Sequence, residues 1–212
     1  MGDMDEGFER ALLALDRVAA RNILMPISEN KGAMEAVESL VVPVLKKLGE
    51  GWEGGGLSLA QIYMSGRICE ELIDGLLPPA DPLRKHQPKM AIAVLEDHHA
   101  IGKNIIYSTL RASGFEVFDF GVGVSVETLL RRTREDEIEM LLVSVLMLRS
   151  ALKIGELISG LRDSGLNTQV VVGGAPFRFD SLLWKEVGAD AMGENGADAL
   201  RIVEAFIWEG AA

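Results

Sequence analysis

Through the first 77 residues, apolar side chains recur at three- and four-residue intervals, the period of a helix with one buried face. Phe8, Leu12, Leu15 and Val18 or Ala19 form one such stripe across residues 5–22. A second helix is predicted from about Ser28, its N-cap, with Ala33, Val37, Leu40 and Val41 inward. Pro43 should interrupt or kink that helix, because a proline ring clashes with the preceding turn. Val44, Leu45 and Leu48 then continue the pattern towards Trp52, and Gly54-Gly55-Gly56 reads as a break. Beyond it, Ser58 can cap a helix carrying Leu59, Ile62, Tyr63, Ile68, Leu72 and Leu76. No segment of this half reads as a strand, so residues 1–80 are expected to form a small helical bundle.

Between Pro78 and Pro88 lie four of the seven prolines and no apolar periodicity, which predicts a semi-rigid linker, centred on residues 81–88, with His86 exposed in it. After the linker the period changes. Strands are predicted at 89–95, 115–120, 140–146, 168–172 and 189–192, alternating with helices at 101–113, 125–135, 150–164, 180–187 and 197–208. Gly114, Gly165 and Gly188 stand where three of those helices should stop. Five strands alternating with helices imply right-handed crossovers and a parallel sheet covered on both faces. The expected domain, residues 89–212, is flavodoxin-like (Rossmann-type), with strand order 2-1-3-4-5.

Composition narrows the possibilities. The 212 residues are 48% apolar and 25% charged, as in an ordinary globular protein, and the length accommodates two small domains. A formal net charge of −11 opposes a nucleic-acid surface, which needs clustered Lys and Arg. The acidic N-terminus is unlike a secretory leader, and no apolar run is long enough to span a membrane. A single cysteine, Cys69, excludes an intrachain disulfide and reads as a small core residue. A cytoplasmic protein with neither nucleic acid nor membrane as partner is expected.

In a parallel sheet every strand ends on one edge, where ligands bind. The first strand delivers Asp97-His98-His99, the second Gly121-Val122-Gly123, the third Ser144-Val145-Leu146, the fourth Gly173-Gly174-Ala175-Pro176 and the fifth Gly193-Glu194-Asn195-Gly196. Asp97 and His99 are two apart, so in extended chain both side chains project to one side, and a carboxylate can hold an imidazole. Such a pair is either a locally hydrogen-bonded polar loop or a metal-ligand arrangement in which the second ring nitrogen is presented as a fixed lone pair. The spacing Asp97-x-His99-x-x-Gly102 selects His99 over His98, and Gly102, beside Ile101 at the helix start, would admit a large flat ligand. Small residues at four of five strand ends leave the edge open. One phosphate loop is not the explanation, because Gly121-x-Gly123 lacks the third glycine of G-x-G-x-x-G.

Asp97-x-His99-x-x-Gly102, Ser144-x-Leu146 and Gly173-Gly174, in that order, resemble the three-part signature of the vitamin B12-binding domain of methionine synthase. The same signature marks the corrinoid proteins serving methylamine, methanol and phenyl methyl ether methyltransferases. Gly51-Trp52, Leu59, Gln61-Ile62 and Ser65-Gly66-Arg67 are similar to the helical cap module preceding that domain, so the resemblance spans nearly the whole chain. It implies cobalamin, with its dimethylbenzimidazole tail displaced from cobalt and inserted into a slot lined by Ser144, Leu146, Gly173 and Gly174. It further implies His99 as cobalt ligand, Asp97 as its acceptor and Ser150 as the next member of a hydrogen-bonded relay. Ile101, Gly102, Ala175 and Gly193 would border the cofactor, with Trp52, Leu59 and Ile62 over its upper face. One departure is Met147-Leu148-Arg149-Ser150, where the family often has Thr-x-Ser or Thr-Thr.

The function implied by the resemblance is a methyl carrier. It would accept a methyl group on Co(I) from a substrate-specific methyltransferase and, as methylcobalamin, pass it to a second methyltransferase acting on tetrahydrofolate, with a reductive activator as a further partner. The chain has no room for a donor-activating barrel of about 250 residues, so it would be a component of a system. The alternatives are a B12-dependent sensor and the small subunit of a B12-dependent mutase, which would carry an adenosyl group where the carrier has methyl.

Overall fold

A computed structural model describes residues 2–76 and 87–210. The helical part consists of α1 (Gly2–Leu13), α2 (Arg17–Lys31), α3 (Ala33–Ala36), a π-helical turn (Val37–Val41), α4 (Val42–Glu53) and α5 (Leu59–Leu76). Phe8, Leu12, Leu24, Leu40, Leu48, Ile68 and Ile73 are fully buried in its core, and Cys69 is buried with them.

Three boundaries differ from expectation. The stripe over residues 5–22 breaks at Leu15, which takes a left-handed φ of +58°, and Asp16 caps α2 by accepting from Ala19 N at 2.9 Å. Leu15 and Val18 are therefore exposed. Ser28 is no N-cap: it lies inside α2, and its carbonyl accepts from the Gly32 N–H that ends the helix. Pro43 does not interrupt the helix either. The turn just before it widens to a π turn, with Val42 N–H donating to Val37 O, and the looser turn makes room for the ring. The expected break at residues 54–56 is present, and Ser58 with Gln61 forms a reciprocal cap at the start of α5.

The sheet part contains β1 (Met90–Leu95), α6 (Ala100–Ala112), β2 (Val117–Val124), α7 (Val126–Glu135), β3 (Met140–Ser144), α8 (Leu148–Leu152) and α9 (Ile154–Asp163). It continues with β4 (Gln169–Gly173), α10 (Ala175–Phe179), α11 (Leu183–Glu186), β5 (Ala191–Met192) and α12 (Gly196–Gly210). The strands form one parallel sheet in the order β2-β1-β3-β4-β5. Interior strand β1 is buried at every position, as a strand covered on both faces must be. The order reverses between β1 and β3, which places the ligand crevice of such a sheet outside their carboxyl ends.

Here too the boundaries carry information. β2 runs four residues past the predicted end, with two shifts in its pairing to β1, so Gly121 and Gly123 lie inside a strand and not in a loop after it. The helix expected at 150–164 starts at Leu148 and divides at Lys153. A helix not foreseen, α10, begins at Ala175, and only Leu183–Glu186 of the predicted 180–187 helix is helical.

The chain divides into two compact units, one of residues 1–86 and 108–116 and one of residues 87–107 and 117–212. The end of α6 and the turn after it thus group with the helical unit. The predicted linker lies, up to residue 86, outside the described residues.

Candidate functional site

Immediately after β1, the chain turns through Glu96, whose φ of +47° is unusual for a residue with a Cβ. The next carboxylate, Asp97, is 5% exposed and fully engaged. Its Oδ1 accepts from His99 Nδ1 at 2.8 Å and from His99 N at 3.3 Å, and its Oδ2 accepts from Leu146 N at 2.8 Å and Met147 N at 3.1 Å. Asp97 therefore joins the end of β1 to the end of β3, across the switch point.

Burial would push the Asp97 carboxyl up, but the His99 ring and the N–H groups of Leu146, His99 and Met147 outweigh it and hold the group down at about 2. An ionised carboxylate can only accept, so His99 carries its proton on Nδ1. Its side chain is 68% exposed, and no hydrogen bond among the described residues reaches Nε2. The result is an imidazole fixed in tautomer and direction, with its second nitrogen available to a ligand.

The remaining predicted residues fall into four groups. Ile101 and Leu146 are exposed, and Gly102 opens α6 with only Ser144 Oγ, 3.9 Å from the place a Cβ would occupy, nearby. That distance is ordinary van der Waals contact, so the first turn of α6 leaves room for a small side chain beside the end of β3. Gly173 and Gly174 behave otherwise. A Cβ on Gly173 would come 2.8 Å from Gly193 O, and one on Gly174, at φ +119°, would come 1.9 Å from Val145 O. These glycines bring neighbouring strand ends into backbone contact, with Val145 N donating to Gly173 O and Gly193 N to Val172 O. Ala175 starts α10 beside them.

Ser150 does not join the relay. Its hydroxyl is fully buried in α8 without a partner, while all four hydrogen bonds to the Asp97 carboxylate come from His99 and from two backbone amides. Trp52 is half-buried at the end of α4, Leu59 is exposed at the start of α5, and Ile62 packs partly buried against the helical core.

Sequence reasoning missed other participants. His98 lays its ring over Gly123, where a Cβ would meet Cε1 at 2.4 Å, and Gly123 N donates to Asp97 O at 2.7 Å. Lys153 Nζ donates to both Glu96 oxygens at 2.6 Å. The amides of Leu146 and Met147 could not be foreseen, because a backbone donor carries no residue signature. Glu96 is marked only by its place between a strand and a motif.

Residues 89–204 match the model of the B12 binding domain family, and residues 4–76 match a second model, also described as a B12 binding domain. A trimethylamine corrinoid protein of Methanosarcina mazei is 29% identical over 200 residues, 91% of each chain. A monomethylamine corrinoid protein of Methanosarcina barkeri is 32% identical over 167 residues, 74% of this chain and 76% of that one. Among solved structures, a cobalamin-binding protein from Desulfitobacterium hafniense is 26% identical, with a TM-score of 0.79 over 95% of this chain and 98% of the other. Since the two family models between them take in nearly all of the described chain, the protein belongs to the B12-binding family of corrinoid proteins, and its cofactor is cobalamin.

Proposed function

We propose that this protein is a methyl carrier of a corrinoid methyltransferase system, with His99 as the cobalt ligand. The observation that carries the ligand assignment is the Asp97–His99 pair, in which Nδ1 is held and Nε2 has no hydrogen bond among the described residues. When bound, cobalamin supplies a cobalt centre able to take up and release a methyl group. The residues fit that cofactor. Among the described residues no cluster of three or more His, Cys, Asp or Glu could hold a bare metal ion, so a metal on His99 must bring its other ligands with it. The buried Ser150 hydroxyl lacks the partner that a buried polar atom ordinarily has, and a Cβ on Gly102 would meet nothing closer than Ser144 Oγ at 3.9 Å.

Asp97 orients the imidazole and, by accepting from Nδ1–H, strengthens Nε2 as a donor. The Asp97–His99 pair would thereby hold the cobalt centre from the protein side, and the chemistry of methyl uptake and release would be the cofactor's. Leu146, Gly173, Gly174, Ala175 and Gly193 are the proposed border of the tail, and Trp52, Leu59 and Ile62 the proposed apolar cover. The curated relatives named for methylamines support a methyltransferase as partner, and the match over residues 4–76 supports a carrier over a mutase subunit, which needs no such helical module. Tetrahydrofolate is the proposed acceptor, through a second methyltransferase, and a reductive activator would restore oxidised cofactor.

The ligand test is electron paramagnetic resonance of the Co(II) form with 15N-histidine labelling. Nitrogen splitting should change with the label, vanish in His99→Ala and persist in His98→Ala; loss in His98→Ala alone would overturn the assignment. The carrier test uses 13C-methyl donors, methylamines and methanol, with candidate methyltransferases. Label should appear on the bound cofactor and move to tetrahydrofolate; transfer to a thiol instead would remove the folate step. In Trp52→Ala the bound methyl group should be lost to light faster than in wild type, and an equal rate would remove Trp52 from the cover.

A further inference from the structure

Glu96 stands directly before Asp97 with φ +47°, in the left-handed region that glycine enters freely and a residue with a Cβ resists. It is held there from two sides. Its N–H donates to Val124 O at 3.0 Å, and its carboxylate takes the Lys153 ammonium on both oxygens at 2.6 Å. Lys153 is the joint between α8 and α9. At the other end of α8, Leu146 and Met147 donate their N–H groups to Asp97 Oδ2. Two consecutive residues, Glu96 and Asp97, therefore grip the 146–153 segment at both ends, one through charge and one through backbone amides. Between the grips lies Ser150 with its buried, unpartnered hydroxyl.

We propose that Glu96 and Lys153 are positioning residues for the His99 ligand: their ion pair keeps Glu96 left-handed, and that conformation aims Asp97 at the His99 ring and the Leu146–Met147 amides together. The consequence for cobalt rests on the reading of His99 as its ligand; the geometry stands on the protein alone. Without the ammonium, Glu96 relaxes towards negative φ and the peptide joining it to Asp97 rotates. The carboxylate then withdraws from both sets of donors, and the imidazole loses its fixed tautomer and direction. A glycine at position 96 needs no such restraint, because the left-handed conformation costs it little. The role of Lys153 is thus conditional on residue 96 having a side chain, and what sets it apart from a plain ion pair is that removing the pair by placing glycine at position 96 leaves Asp97 in place.

The experiment is amide hydrogen exchange by NMR on cobalamin-free protein, read at Leu146 and Met147, with the 15N signal of His99 Nδ1 as a second probe. Lys153→Met should speed exchange at both amides by about tenfold or more and shift the His99 signal, while amides of α5 stay protected. Lys153→Arg should preserve both readings. Glu96→Gly should preserve them as well, and Lys153→Met added to Glu96→Gly should have no further effect. Unchanged amides in Lys153→Met would overturn the proposal, as would a double variant exchanging as fast as Lys153→Met. Cobalamin titration of the same proteins should show affinity reduced in Lys153→Met and restored in the double variant. Should His99→Ala instead bind cobalamin with an unchanged spectrum, the ligand role fails, while the amide data still decide how Asp97 is positioned.

Discussion

A carboxylate buried at the end of a parallel strand would ordinarily resist ionisation, and Asp97 is held ionised only because four hydrogen bonds converge on it. Its folded-state value of about 2, below the ordinary 3.8, ties those bonds to pH. Because the folded value is depressed, the contribution is fully present above the unfolded value and is lost as pH falls through the folded one. The depression corresponds to about 2 kcal/mol of stability lost between roughly pH 4 and 2. Denaturant unfolding of cobalamin-free wild type and Asp97→Asn should therefore differ at pH 5 and converge near pH 2. A gap independent of pH would mean that the carboxylate is not what holds the loop. At this scale the sequence was informative about side-chain pairing and silent about backbone. The spacing of Asp97 and His99 anticipated their contact. The link to Ser150 did not form, because amides that no residue type advertises had taken the carboxylate first. The left-handed turn at Glu96 was equally hidden, since glutamate is not a residue that signals it.

Elements were legible where apolar period decided them and less so where backbone geometry did. The five strands followed from the alternation of short apolar runs with helices, and their order from the commonest flavodoxin-like arrangement for a sheet of this size. The helix boundaries at Leu15, Ser28 and Pro43 did not, because a left-handed residue, a side-chain cap and a π turn are local backbone events that leave the apolar period untouched. The glycines divide in the same way. All looked like small residues lining one slot, yet Gly174 exists to let the β4 end meet Val145 O, whereas a Cβ on Gly102 would meet nothing closer than Ser144 Oγ at 3.9 Å. Their variants should separate accordingly. Gly102→Val should leave the melting temperature of the cobalamin-free protein within about 2 °C and weaken cobalamin binding by tenfold or more, since the added branches fill the gap beside Ser144. Gly174→Ala should lower stability by about 2 kcal/mol or more before any cofactor is added, because the new methyl group meets a backbone carbonyl and a left-handed φ. Equal stability of the two variants in the absence of cobalamin would contradict this division of roles.

For the whole molecule, the expected halves, helices first and a parallel sheet after, are the observed ones, and no helix among the described residues is long and apolar enough to cross a membrane. The point that apolar periodicity missed is which unit the end of α6 belongs to. Ala112 is buried in the core of the helical unit, Ser108 Oγ donates to the buried Glu70 at 2.8 Å, and Arg111 pairs with Asp74. These residues come some thirty positions after α5 in the chain. Expression of residues 1–86 alone would therefore yield a bundle with an apolar gap at Ala112 and a buried glutamate short of one donor. Such a fragment should bind the dye ANS and melt without a sharp transition, while the full chain does neither. A sharp melt would show the bundle to be self-sufficient. If the fragment behaves as expected, the helical half can be neither transplanted nor shed by cutting the connection after α5. A gene fusion that borrows it must carry the 108–116 segment too, and the natural unit of recombination is the pair of domains taken whole.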